Sequence, residues 1–245
     1  MSKALKGITQ PKDTDTLWRY MSFEKFANIL ATGSLFFTRA DKYDDKFEGY
    51  IPEAIMRYYG SPNIRIDANL RQYIMCNCWH KGTEESMAMW DKYHLRDSGI
   101  AIKTTMRNLM DSLPDEPNIF IGKVDYEVES AEKQNQIDMP ENMAPESLLH
   151  YLYFYKRKPF EYEHEVRAII DVESILHDDP YEFGKPLEIN VETLIDKNSS
   201  VIVSPHADEW IARTLELIVD RCGFRFPVSH SKLLDPPTGT QERSI

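Results

Sequence analysis

The sequence predicts an α+β fold, with a bent, mostly antiparallel or mixed sheet flanked by helices. Short β-prone runs and amphipathic stretches alternate without a regular βαβ period. Residues 75–105 read as strand, sharp turn, helix, strand. Glycine, proline and polar clusters cut the rest into short elements.

The elements follow in order. Residues 1–15 are polar and read as a loose arm. Leu17 to Tyr20 is a short strand. Ser22 is placed to cap a helix whose Phe23, Phe26, Ile29 and Leu30 form one stripe, and Gly33 ends it. Residues 34–38 form a strand, and the charged loop 39–48 follows. Residues 51–59 read as a helix stopped by Gly60-Ser61-Pro62. Met75 to His80 is the next strand. Lys81-Gly82 breaks it, and Thr83 is placed to cap a helix with Met89, Trp90 and Tyr93 on its buried face. A strand restarts at Gly99, and residues 106–113 suit one or two helical turns. Ile119 to Tyr126 is a strand. Residues 127–145, with Pro140 and Pro145, read as a mobile excursion. Residues 147–155 read as a helix, 161–170 as a strand, and 187–191 and 200–203 as further strands. Ser204-Pro205 is placed to open a helix carrying Trp210, Ile211, Leu215, Ile218 and Val219. Residues 224–228 read as a last strand and 233–245 as a polar tail. The whole is expected to be one domain.

Composition narrows the function classes. The 245 residues are 42% hydrophobic and 28% charged, as in ordinary globular proteins. Runs such as Ala168-Ile169-Ile170 are far too short to span a membrane, and the N-terminal stretch has no apolar signal segment. Three cysteines, an odd number, fit a reducing cytoplasm better than a disulfide framework. A net charge of −11 opposes broad nucleic-acid binding, although Lys156-Arg157-Lys158 could edge a local groove. GxGxxG, the Walker loop, GxSxG and HExxH are all missing from the sequence.

Two constellations carry the candidate chemistry. Cys76, Cys78 and His80 alternate on one strand face. At ~3.3 Å per residue the first and last stand ~13 Å apart. One tetrahedral ion with bonds near ~2.0–2.3 Å cannot take all three, so no metal is expected there. His80 with Glu84 or Ser86 could form an acid–base pair or simply hold the turn. The second constellation is Glu163, Glu165 and Arg167, which share one face if 161–170 is a strand throughout. Two like charges so close raise one carboxylate's pKa unless a cation such as Arg19 or Arg167 intervenes. A solvated ion pair is the plainer outcome. Trp18, Phe37, Trp79 and Trp90 read as core.

Three blocks occur together: LWRYMSFEKFANILATGSLFFTRADKYDDKFEG (17–49), CWHKGTEESMAMWDKYHLRDSGIAIKTT (78–105), and KRKPFEYEHEVRAII (156–170) with VIVSPHADEW (201–210). In this order they resemble the bacterial family called Domain of Unknown Function 2971, which implies a bacterial cytoplasmic protein. A more distant resemblance is to toxin-type ADP-ribosyltransferases, through Arg19 in WRYMS and the late Glu163-His164-Glu165. The nearest counterpart of that group's middle strand is Lys103-Thr104-Thr105. The resemblance implies that Arg19 holds the diphosphate of NAD as substrate. Glu165 would then orient a ribose hydroxyl and stabilise the oxocarbenium-like state.

The expected site therefore has Glu165, Glu163 and His80 as catalytic candidates. Arg19, Tyr20, Arg39, Glu48, Trp79, Glu85, Ser86 and Arg167 are the binding candidates. The 39–48 loop forms its rim. Its ligand is expected to be polar and phosphate-bearing, because arginine pairs bidentately with phosphate. The resulting expectation is an NAD-using ADP-ribosyltransferase-like enzyme or defence effector, with a protein or nucleic acid as its acceptor; the alternative is a non-catalytic nucleotide- or protein-binding module using the same cleft.

Overall fold

The computed structural model describes residues 8–43, 45, 48–49, 70–93, 97–116, 118–128, 150–171 and 182–236. The sequence-predicted helix 51–59 lies outside the described residues, as does the expected excursion 127–145 except for residues 127–128, which end a strand.

The fold is α+β. Nine strands form one mixed sheet: β1 (Thr16–Ser22), β2 (Ser34–Arg39), β3 (Ile74–Lys81), β4 (Gly99–Thr105), β5 (Ile119–Lys123), β8 (Glu165–Asp171), β9 (Gly184–Glu188), β10 (Ser200–Val203) and β11 (Val228–His230). All pairings are antiparallel except that of β10 with β11. Two short strands, β6 (Asp125–Val128) and β7 (Tyr155–Arg157), pair separately.

β3 has three strand neighbours. β8 occupies one edge along residues 74–80, so β1 and β2 must share the other. β2 pairs with its start, at Met75 and Cys76, and β1 with its end, at His80 and Lys81. The sheet forks between them. The side chain of Arg19 sits at the fork, where its Nη1 donates to the Cys78 carbonyl (2.7 Å) and to Asn77 Oδ1 (3.0 Å). It supplies a donor that a strand neighbour would otherwise give.

Alternation sorts the two faces. Leu17, Met21, Met75, Trp79, Val166 and Ala168 face the main core, which α1 (Phe23–Thr32), α3 (Met106–Ser112), α4 (Val191–Leu194) and α5 (Glu209–Arg221) cover. α1 buries Phe26, Ile29 and Leu30, and Gly33 ends it with φ at 63°, a left-handed conformation that suits glycine. The other face carries two smaller clusters. One is Trp18, Tyr20, Met89, Trp90, Ala101 and Ile202, and the other includes Ile8, Cys76, Phe120, Phe154 and Ile169.

Several boundaries differ from the sequence expectations. α2 (Met87–Lys92) starts after Ser86, not Thr83, because residues 82–86 are held as a turn: Trp18 Nε1 donates to the Gly82 carbonyl and Ser86 N–H to Tyr20 Oη. Tyr93 ends that helix and is 41% exposed. α5 starts at Glu209 behind Asp208, and Trp210 points outward at 63% exposure. Residues 152–154 form a 3-10 turn leading into β7. The last strand starts at Val228, and β9 ends at Glu188. The described part of the arm is not loose: Ile8 is buried, and Lys123 N–H donates to the Thr9 carbonyl.

Trp90 is fully buried, edge-on to Tyr20 at 4.8 Å. Trp90→Ala should lower stability by ~3–5 kcal/mol through the cavity it leaves. Equilibrium denaturation checks this, and an unchanged midpoint would contradict it.

Candidate active site

A cavity of about 310 Å³ opens on the face that carries the two smaller clusters. Strand register builds its floor. Trp18, His80 and Glu165 stand opposite one another across β1, β3 and β8. Cys78, Arg167 and Gly122 do the same across β3, β8 and β5. Paired residues project to the same face, so His80, Cys78, Glu165 and Arg167 all face the cavity.

The route to Glu163 is different from the one expected. Residues 158–163 form a 3-10 helix, and β8 begins only at Glu165. His164 turns the chain between them at φ 39°, an uncommon conformation for a residue with a side chain. The turn makes adjacent-face neighbours of Glu163 and Glu165 without strand alternation. Both are buried.

Their counterions converge from three segments. Lys156 Nζ lies 2.8 Å from Glu48 Oε1, 2.7 Å from Glu163 Oε2 and 3.6 Å from Glu165 Oε2. Arg167 clamps Glu165 with two bonds, Nε to Oε1 at 2.9 Å and Nη2 to Oε2 at 2.8 Å, and donates Nη1 to the Tyr153 carbonyl. Lys92 Nζ reaches Glu163 Oε1 at 2.7 Å. Glu48 gets its place from Gly49, whose φ is 68° and where a Cβ would stand 2.5 Å from the Tyr153 ring.

These charges set one another's protonation. Burial pushes the Glu165 carboxyl up, but Arg167 and Lys156 outweigh it and hold the pKa at about 2. Burial pulls Lys156 down, and Glu165 and Glu48 more than reverse this. Glu165 is therefore a carboxylate and Lys156 an ammonium at neutral pH. The clamp thus resolves the like-charge problem by pairing, and the pair is buried, not solvated.

His80 donates Nδ1–H to the Glu163 carbonyl at 2.7 Å, since a carbonyl can only accept. That fixes the tautomer and leaves Nε2 as an acceptor. Burial lowers its pKa, so the ring is neutral. A Cβ at Gly82 would crowd Nε2 at 3.0 Å, so glycine there leaves that nitrogen uncrowded. The described hydrogen bonds join His80 to neither Glu84 nor Ser86, and Ser86 N–H donates to Tyr20 Oη.

Of the sequence-predicted residues, Glu165, Glu163, His80, Tyr20, Glu48, Trp79 and Arg167 line the cavity. Arg19, Arg39, Glu85 and Ser86 are outside its lining. Arg19 follows Trp18 on β1 and so projects to the opposite sheet face from Glu165. Arg39 makes a bidentate pair with Asp41. Glu85 Oε2 accepts from Ser231 Oγ at 2.5 Å and from Trp90 Nε1 at 3.3 Å. Sequence reasoning did not assign Lys156, Tyr43, Lys92 or Tyr93 to the lining. Lys156 stood in a conspicuous basic run, but its burial was not readable there. Cys78 lines the cavity as a thiol, pushed up to about 12 by burial. Among the described residues no group of three His, Cys, Asp or Glu side chains could hold a metal ion. No helix there is long and apolar enough to cross a membrane.

No family model matches the chain. No curated protein matches it either. Among solved structures, Thermus sp. 2.9 DarT in complex with NAD+ aligns over 91% of this chain and 98% of that chain, at 11% identity and a TM-score of 0.40. Similarity at that level has no bearing on fold or activity.

The clamp on Glu165 has a pH signature. A folded pKa near 2 against an ordinary 4.5 means the unfolded chain binds more protons between those values. The stabilisation is present above about pH 4.5 and is lost as pH falls towards 2. Glu165→Gln should flatten the loss of melting temperature across that window. An identical acid slope in the two proteins would contradict the assignment.

Proposed function

We propose that the cavity binds NAD and that the chain is an ADP-ribosyltransferase-like enzyme, which would act as a glycohydrolase when water is the acceptor. The observation that carries this reading is the set of three buried carboxylates, Glu48, Glu163 and Glu165, sharing the cavity with the acceptor nitrogen of a neutral His80. The resemblance of Glu163-His164-Glu165 to the toxin-type transferases points the same way, whereas Arg19, on the opposite sheet face and outside the cavity, does not hold a diphosphate there.

The chemistry this set can perform is cleavage of an N-glycosidic bond. The bond from the ribose C1′ to the nicotinamide nitrogen breaks, and its electron pair leaves with nicotinamide. Positive charge develops at C1′ and the ring oxygen, and a fixed carboxylate in a water-poor site stabilises it. An acceptor oxygen or nitrogen then forms the new bond to C1′. Its proton passes to Nε2 of His80, which the tautomer leaves free to take it. Tyr43, Tyr93, Phe160 and Tyr162 supply aromatic walls on which a flat cationic ring can lie.

One observation favours a second reading. Both oxygens of Glu165 are already engaged by Arg167. A carboxylate so satisfied suits a non-catalytic module that binds the same ligand in the same cleft.

NAD consumption and melting temperature, measured side by side, separate the two. The enzyme reading predicts turnover by the wild type that falls roughly 10²–10³-fold in Glu165→Gln, with the fold retained. Stabilisation by NAD without turnover supports the binding module. Neither turnover nor stabilisation contradicts both.

A further inference from the structure

We infer that His80 and His164 form a two-point site for a zinc-class divalent cation at the edge of the cavity, and that the bound cation takes the lone pair of His80 Nε2. Only the consequence for turnover rests on the NAD reading; the site itself does not.

The backbone brings the two imidazoles together. His80 stands opposite Glu165 in the register of β3 and β8, and Lys81 N–H donates to the His164 carbonyl at 2.9 Å. In a continuous strand His164 would project to the face opposite His80. The left-handed turn at φ 39° breaks that alternation, and the ring centres stand 6.0 Å apart with 51° between their planes. Such a turn is uncommon for a residue with a side chain, and conformations of this kind gather at functional sites. His164 is exposed, and its ring makes no hydrogen bond among the described residues.

His80 has the surroundings of a metal ligand. Its Nδ1–H donates to the Glu163 carbonyl at 2.7 Å. A ligating histidine almost always gives its other N–H to a carbonyl or carboxylate, which fixes the ring and raises the basicity of the ligating nitrogen. Among the described residues Nε2 accepts no hydrogen bond, yet it is not sealed in as Nδ1 of His150 is. Gly82 leaves it uncrowded, and burial keeps the ring neutral, so the lone pair is available.

The spacing suits one ion. With bonds of ~2.0–2.1 Å to a nitrogen of each ring, a cation stands ~3.2 Å from both ring centres, so two ligating imidazoles have centres roughly 5–6.5 Å apart. The observed 6.0 Å falls inside that range. Among the described residues no group of three His, Cys, Asp or Glu side chains could hold a metal ion, so the remaining positions go to water. Imidazole suits zinc, copper and nickel, whereas magnesium and calcium take oxygen ligands. A cation on Nε2 removes the base that the proposed reaction uses, so bound zinc should inhibit turnover.

The test follows the histidine ring C–H signals by NMR while Zn2+, and separately Mg2+, is added to the full chain. One equivalent of Zn2+ should shift the His80 and His164 signals together, and Mg2+ should shift neither. His164→Asn removes the imidazole but suits the left-handed turn. It should weaken zinc binding at least ~10-fold, no less than the loss of an outer-shell partner does. His206→Asn, at an exposed histidine elsewhere, should leave binding unchanged. Zinc that shifts only one of the two rings, that sits at another histidine or at Cys222, or that binds equally well to His164→Asn overturns the inference, as does no binding at all. NAD consumption is read separately. Failure of zinc binding leaves the NAD reading standing, and zinc held by both rings in a protein that never consumes NAD upholds the site and sinks the enzyme reading.

Discussion

The ammonium of Lys156, held among the carboxylates of Glu48, Glu163 and Glu165, is the interaction that organises this side of the molecule. Burying one of these charges alone would be costly, and removing a partner from a buried pair typically costs ~3–5 kcal/mol. The three segments that bring them, around Glu48, Lys156 and β8, are therefore obliged to meet. Arg167 extends the arrangement by clamping Glu165 and reaching the Tyr153 carbonyl. The wall of the cavity is a consequence of this neutralisation.

The second constraint is geometric. β3 carries β8 on one edge and both β1 and β2 on the other, so its neighbours on that edge must part. The Arg19 guanidinium answers the exposed carbonyl at the fork. Burial lowers its pKa, although it keeps its charge, and it stacks near Trp79 at 5.7 Å. On the opposite face the same register lines up Trp18, His80 and Glu165. β3 thus sets its imidazole beside a carboxylate of β8, with an arginine of β1 on the opposite face.

How much of this could be read from the sequence depends on the range of the interaction. Local signals were good guides. The stripe of Phe26, Ile29 and Leu30 with Gly33 marked α1, and Met75 to His80 marked β3. Met89 and Trp90 are buried as their spacing required, while Tyr93 at the helix end is not. The candidate site was legible in part, because buried charges on core strands must find partners. That logic brought His80, Glu165 and Arg167 to one cavity with Glu48 and Tyr20. It failed for Arg19, whose face depends on the exact pairing of β1 with β3, and for Glu85, which pairs instead with Ser231 and Trp90. Lys156 escaped notice because a basic run reads as solvated. Its burial is set by Glu48, more than a hundred positions away in the chain. The left-handed turn at His164 left only a weak sequence signal: histidine is enriched in that conformation, but few histidines adopt it.

The central claim is that Lys156 and its carboxylates act as one unit, and a double-mutant cycle on stability tests it most directly. Lys156→Met, Glu163→Gln and the double variant would be compared with wild type by equilibrium denaturation at neutral pH. The account predicts that Lys156→Met costs ~3–5 kcal/mol, since it leaves carboxylates buried without their counterion. It also predicts that the double variant recovers more than ~1 kcal/mol of the summed losses, as coupled neighbours do. Losses that add to within ~0.5 kcal/mol would show the two side chains to be independent and would contradict the account.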